Sequence, residues 1–233
     1  LIRYDIGQSY DWNYVHAPKS DPDVDVPALN DSWDFCGLRV DSPLGMSAGP
    51  LLNSDWIRYY GKLGFSVLTY KTVRSVYRAC FGLPNLLPVH SARLNGPGKQ
   101  VVAASTSEPV QSWAISFGMP SKDPESWRKD VEKARGSLGS EQVLVVSVVA
   151  SPEENWTLEQ IAADFTRCAV WALEAGAGAV RDSANALRTV NSISASVLDQ
   201  TGSAAFGGLS RGIGGRCIRD RSNAEAKLLR EGD

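Results

Sequence analysis

The residues placed to do chemistry stand at the ends of two short apolar runs. Pro43-Leu44-Gly45-Met46 leads into Ser47-Ala48-Gly49-Pro50, and Ser66-Val67-Leu68-Thr69-Tyr70 leads into Lys71-Thr72. A lysine closing such a run can hold or stabilise negative charge on a bound group. By residue type alone Lys71 reads equally as a solvated side chain, and Ser47-Ala48-Gly49 as a plain strand-end turn. A third segment, Gly207 to Gly215 with Arg211, Arg216 and Arg219, offers glycines and cations for anion binding but no complete G-x-x-x-x-G-K-[ST] pattern. His16 and His90 fall in no metal-ligand spacing and read as loop residues. Cys80 reads as a loop thiol and Cys168 as a core thiol on the apolar face of its helix.

The element that must position the first two groups is a strand, helix, strand unit. Ile57, Tyr60 and Leu63 recur at helical spacing between the two runs, and a helical crossover makes the flanking strands parallel. In parallel α/β folds ligands sit at the carboxyl ends of the strands. Ser47-Ala48-Gly49 and Lys71-Thr72 are therefore expected to face a common site.

Residues 1–36 are polar and interrupted by Pro18, Pro22 and Pro27, so they are expected to form an irregular lead-in, packed on the surface through Trp12, Tyr14, Trp33 and Phe35. Tyr77 to Pro109, rich in Pro, Gly, Asn and Ser, reads as a long loop of the binding or disordered kind. Trp113 to Pro120 reads as a short extended piece. Asp123-Pro124-Glu125 predicts an N-cap, a first-turn proline and a helix to about Arg135 with Trp127, Val131 and Ala134 facing the core.

Val143 to Val149 is an almost unbroken β-branched run, the pattern of a strand buried on both faces of a parallel sheet. Thr157-Leu158-Glu159-Gln160 is a capping box. It predicts a helix whose face is Leu158, Ile161, Phe165, Cys168 and Ala172, ended by Gly176 and Gly178. A further strand is expected near Ala179, but Arg181-Asp182-Ser183 puts charge where a buried strand should continue. Leu187 to Ile193 resumes an apolar pattern, and Ser222 to Glu225 is a second capping box opening a last helix.

Composition narrows the class. The chain has 233 residues, 43% hydrophobic and 21% charged, enough for one α/β domain. Its net charge of -2 offers no footprint for nucleic acid or an anionic membrane. Cys36, Cys80, Cys168 and Cys217 form no C-x-x-C pair, so they read as reduced thiols of a cytosolic protein. No apolar run approaches the roughly 20 residues of a membrane span, and the expected location is cytoplasmic.

Five stretches together resemble the dihydroorotate dehydrogenase family and its pyrimidine-reducing relatives. They are Gly45-Met46-Ser47-Ala48-Gly49, Tyr70-Lys71-Thr72-Val73-Arg74, Ser116-Phe117-Gly118-Met119-Pro120, Val190-Asn191-Ser192-Ile193-Ser194, and Ala205 to Ser210 with Gly212-Ile213-Gly214-Gly215. The resemblance implies an FMN-dependent (β/α)8 barrel of the TIM type that oxidises dihydroorotate to orotate. FMN would meet Ser47, Ala48, Gly49, Lys71, Thr72, Gly212, Gly214 and Gly215. The small-molecule substrate, dihydroorotate or a related reduced pyrimidine, would meet Lys71, Ser116, Gly118, Met119, Asn191 and Ser192. It implies neither a metal nor a nucleic-acid partner, and leaves a homo-oligomer open.

The departures from the family pattern are expectations too. Ile115 stands where the family has Asn, and Arg181 to Leu187 replaces the Asn-Leu-Ser-Cys-Pro-Asn segment that leads to the catalytic base, so no base is assigned. The pattern jumps from Ala179 to a sixth strand and stops before the seventh and eighth. About five of the eight strands of such a barrel are recognisable, within a partial flavin-binding domain at 37–233. The alternative is therefore a catalytically inactive remnant of the family with impaired FMN binding. A small phosphate-ligand module using the arginine and glycine segment is a third reading.

Overall fold

The computed structural model describes residues 1–29, 31–90, 102–103, 112–182 and 187–189. In chain order the elements are α1 (Tyr10–Val15), β1 (Trp33–Phe35), β2 (Leu38–Val40), β3 (Gly45–Met46), α2 (Ser54–Lys62), β4 (Val67–Val73), β5 (Leu86–His90), β6 (Val102–Ala103), β7 (Ser112–Ile115), α3 (Pro124–Gly136), β8 (Val143–Val148), α4 (Leu158–Glu174), β9 (Ala179–Asp182) and β10 (Leu187–Thr189). The main sheet runs β10-β9-β8-β4-β3, with β3, β4, β8 and β9 mutually parallel. Helices α2, α3 and α4 each begin at a side-chain cap, from Asn53, Asp123 and Thr157 respectively. This mixed α/β arrangement with a parallel sheet is compatible with a TIM-barrel-type fold; among the described residues the sheet does not close.

The two faces of the sheet bury different things. Leu68, Tyr70, Val73, Leu144, Val146, Val148 and Val180 pack against the helices in the main core, with Trp56, Trp127 and Cys168. The alternating residues Val143, Val145 and Ala179 turn the other way, onto Val40, Trp33, Phe35 and Leu38 of the β1–β2 hairpin. Strand side chains alternate with period two, so one face is helix-covered and the other, the inner face, is floored by the hairpin at the amino-terminal ends of its strands.

The periodic segments form as their sequence predicts. Trp127, Val131 and Ala134 of α3 are buried, every residue of β8 is buried, and the Thr157 capping box is complete. Leu158 departs from its expected place on the α4 face: it stands at the first helical position and is 80% exposed. The lead-in is less irregular than its prolines imply. Ser9 caps a six-residue helix that buries Tyr10 and Asn13, and the β1–β2 hairpin follows. The long segment after Tyr77 also contains structure, since β5 pairs antiparallel with both β6 and β7. Cys80 and Cys168 are free thiols, whereas Cys36 is disulfide-bonded, against the expectation of four reduced cysteines.

After β9 the direction reverses. Leu187 was expected to open a further barrel strand, but β10 pairs antiparallel with β9, Leu187 opposite Arg181 and Thr189 opposite Ala179. The reason is connection length: four residues separate the strands, and a parallel return needs a crossover of about a dozen or more. The expected last helix lies outside the described residues.

Candidate functional site

Lys71 and Thr72 sit in a break of register between β4 and β8. Tyr70 lies opposite Val146 and Val73 opposite Val148, so two residues of β4 share the space opposite Ser147. A bulge of this kind re-aims side chains. Val73 thereby returns to the helix-covered face while Lys71 and Thr72 both stand on the inner side. The Thr72 and Ser147 hydroxyls are 3.0 Å apart, and the Lys71 N–H, released from the ladder, donates to Leu51 O at 2.9 Å.

The inner face therefore changes character along its strands. Paired positions read Val67 and Val143, then Thr69, Val145 and Ala179, then Lys71 and Thr72 with Ser147 and Arg181. It is apolar where the hairpin covers it and polar at the carboxyl ends, as a ligand site in a parallel sheet requires.

Lys71 is 8% exposed, and among the described residues none forms a hydrogen bond or ion pair with its ammonium. Burial, with the nearby Arg74 cation adding to it and Cys80 opposing, pushes its pKa down to about 8. Holding an ammonium largely away from water is costly.

The turn after β3 flanks this lysine. Ser47 and Gly49 are exposed and Ala48 half-buried, and Leu51, which receives the Lys71 N–H, follows directly. A Cβ built on Gly49 meets no heavy atom within 4 Å. Among the described residues neither packing nor backbone conformation demands glycine there, and the exposed turn is open at that point.

The Ser116 to Pro120 segment is a strained loop. Gly118 has φ 73° and Met119 φ 49°, a left-handed pair that costs roughly 1–2 kcal/mol at the non-glycine residue. Gly118 is required twice over, because a Cβ there would lie 2.8 Å from the Phe81 ring. Asn85, 3% exposed, holds the base of the loop by donating to Ser116 O, Phe81 O and Gly82 O. Ser116 and Met119 are exposed and Ile115 is 68% exposed, so the Asn-to-Ile departure falls on an outward position.

The structure thus brings together Ser47, Ala48, Gly49, Lys71 and Thr72 at adjacent strand ends, and describes Ser116, Gly118 and Met119 on a separate loop. Asn191, Ser192, Gly212, Gly214 and Gly215 lie outside the described residues. Residue-type reasoning missed Ser147, Arg74 and Asp164. Ser147 was signalled as the single polar residue in its β-branched run. Asp164 was signalled by standing between Ile161 and Cys168 on a helix face; it is 2% exposed and accepts from Ser75 Oγ and Ser151 N, both at 2.9 Å. Cys168 is buried and its thiol is pushed up to about 12, by burial first and Asp164 second. Among the described residues no three His, Cys, Asp or Glu side chains cluster to hold a metal, and no helix is long and apolar enough to cross a membrane.

No family model matches the chain. It is similar to a dihydroorotate dehydrogenase from Dictyostelium discoideum, with 30% identity over 183 residues, covering 71% of this chain and 49% of that relative. The chain spans about half the length of the curated relative it matches.

Proposed function

We propose that the chain belongs to the dihydroorotate dehydrogenase family and acts as an FMN-dependent oxidoreductase on dihydroorotate or a related reduced pyrimidine. The observation that carries this reading is Lys71, a buried residue whose ammonium has no partner among the described residues, at the bulged carboxyl end of β4 beside the open Ser47-Ala48-Gly49 turn. The distant similarity to an enzyme of that name supports an oxidoreductase at the family level. The described residues fit a flavin: among them the turn leaves space at Gly49 and the lysine ammonium has no partner. In this reading Ser47, Ala48, Gly49, Lys71 and Thr72 receive the isoalloxazine end, Gly212, Gly214 and Gly215 the ribityl phosphate end, and residues 37–233 form a partial barrel domain.

Bound FMN would supply a hydride acceptor. The chain's own part is binding and electrostatics. Lys71 offers a cation in a desolvated position, where attraction to a substrate carboxylate or to charge on a reduced ring is stronger than in water. Thr72 and Ser147 fix one another and so the floor beneath it. Ser116, Gly118 and Met119, with Asn191 and Ser192, would flank the substrate ring. The proton acceptor is not assigned to any residue.

The test is uptake of FMN by the purified chain, read from visible absorbance, followed by anaerobic reduction with dihydroorotate. Tight uptake and bleaching on reduction are the expected results; no uptake removes the reading. The reversal of β10 favours a second reading, an inactive remnant that retains the Lys71 half-site with impaired FMN binding. Weak or absent FMN uptake together with no turnover of dihydroorotate would select it.

A further inference from the structure

Arg74 is a buried cation, 5% exposed, to which the flavin reading gives no task. Its backbone is pinned on both sides: its N–H donates to Ser121 Oγ and its carbonyl accepts from Trp127 Nε1, each at 3.0 Å. Its guanidinium then reaches in two directions. Nε donates to Met119 O at 3.0 Å, and one terminal nitrogen donates to Ala150 O at 2.6 Å and to Ser151 Oγ at 3.3 Å. Among the described residues no carboxylate forms an ion pair with it. Asp164 supplies negative charge within electrostatic reach while accepting from Ser151 N and Ser75 Oγ.

The contacts join three pieces of chain that meet nowhere in sequence: the end of β4, the left-handed Gly118–Met119 turn, and the loop after β8. We propose that Arg74 is a positioning residue, clamping the Met119 turn to the loop after β8 and so fixing the loop that, in the flavin reading, flanks the substrate ring. The naming of the substrate rests on the flavin reading; the clamp does not. Arginine is demanded by geometry, because a planar fork serves acceptors on two sides while an ammonium is a single point on a flexible stem. The clamp also explains how Met119 persists at φ 49° with an exposed side chain: its carbonyl is held from within.

The experiment compares the full chain with Arg74→Lys and Arg74→Met by hydrogen-exchange mass spectrometry without ligand, then by titration with FMN and with orotate. A hydrogen bond from a charged group is worth enough that its loss should speed exchange across 116–121 and 149–152 by about tenfold or more, with α2 unchanged. FMN affinity should stay within about threefold while orotate affinity falls by about tenfold or more, a split that general destabilisation does not produce. Unchanged exchange at 116–121 in Arg74→Lys, equal acceleration in α2, or equal losses for both ligands would overturn the proposal. Should Arg74→Met fail to fold, Arg74→Lys decides, since it keeps the charge and removes only the fork. If the unmodified chain binds neither FMN nor orotate, the flavin reading falls and the exchange pattern alone judges the clamp.

Discussion

Thr72 Oγ1 and Ser147 Oγ lie 3.0 Å apart across two neighbouring parallel strands, both residues nearly closed to solvent. Each hydroxyl is the other's hydrogen-bond partner, so removing one leaves a buried polar group stranded. Thr72→Val and Ser147→Ala are each expected to cost about 1–3 kcal/mol. The double variant should cost clearly less than the sum. Urea unfolding of the four proteins measures this, and strict additivity would show that the pair is not coupled.

Lys71 gives a stability profile in pH with a definite sign. Its folded pKa, about 8, lies below the ordinary value of 10.5. Between these values the unfolded chain holds a proton that the folded chain does not, so stability rises with pH across that window. Below about pH 8 the cost of the buried charge is fully present. Lys71→Met should therefore be more stable than the parent at pH 7, by an amount of order a few kcal/mol, and the gap should close towards pH 10.5. A gap independent of pH would contradict the assignment.

Asp130 organises the helix-covered side of the same strand. It accepts from Ser54 N at 2.7 Å, Ser54 Oγ at 2.6 Å and Tyr70 Oη at 2.6 Å, and burial, with Asp130 next, raises the Tyr70 pKa well above its usual value. Asp130→Ala strands the fully buried Tyr70 hydroxyl, and should cost roughly 2–3 kcal/mol. Tyr70→Phe removes the donor instead and should cost less. Thermal melts showing the reverse order would refute the network.

The amino terminus of α4 offers a contrasting pair. Thr157→Ala removes a capping side chain and should cost about 1 kcal/mol. Its neighbour Leu158, 80% exposed, should accept Gln with a change within about 0.5 kcal/mol. Comparable losses at both positions would place Leu158 back in the core.

Thiol labelling separates the two free cysteines. Cys168 is buried with its thiol pushed up to about 12, whereas Cys80 is half-buried and is raised less, by burial and Asp11 against the Lys71 cation. Iodoacetamide at pH 8 should modify Cys80 first, and peptide mapping reads the order directly.

Periodicity and caps carried much of this fold in the open. The apolar faces of α3 and β8 and the Thr157 box follow from rules acting within one or two turns, so local residues suffice to read them. What escaped depends on partners distant in sequence. The β5–β7 sheet is held by cross-strand pairs such as Leu86 with Ile115, which loop-like composition conceals. The bulge at Lys71 is a mismatch between two strands and exists only once β8 is beside β4. At the candidate site, Lys71 was legible because it ends an apolar run, while Arg74 was not, since the partners of its guanidinium, Met119 O, Ala150 O and Ser151 Oγ, lie 45 to 77 residues away. Leu158 misled because helical period alone does not say at which turn of a helix burial begins.

The hairpin floor has a consequence for how such a chain can change over generations. Substitutions at Val67, Val143 or Val145 fall on the apolar, hairpin-covered part of the inner face and are paid in folding, whereas those at Lys71 fall on its polar end, where in the proposed reading they alter what is bound. Val67 and Lys71 stand four positions apart along β4. In that reading, change at the rim alters the ligand while the floor is kept, and a lineage can lose its chemistry without first losing its shape.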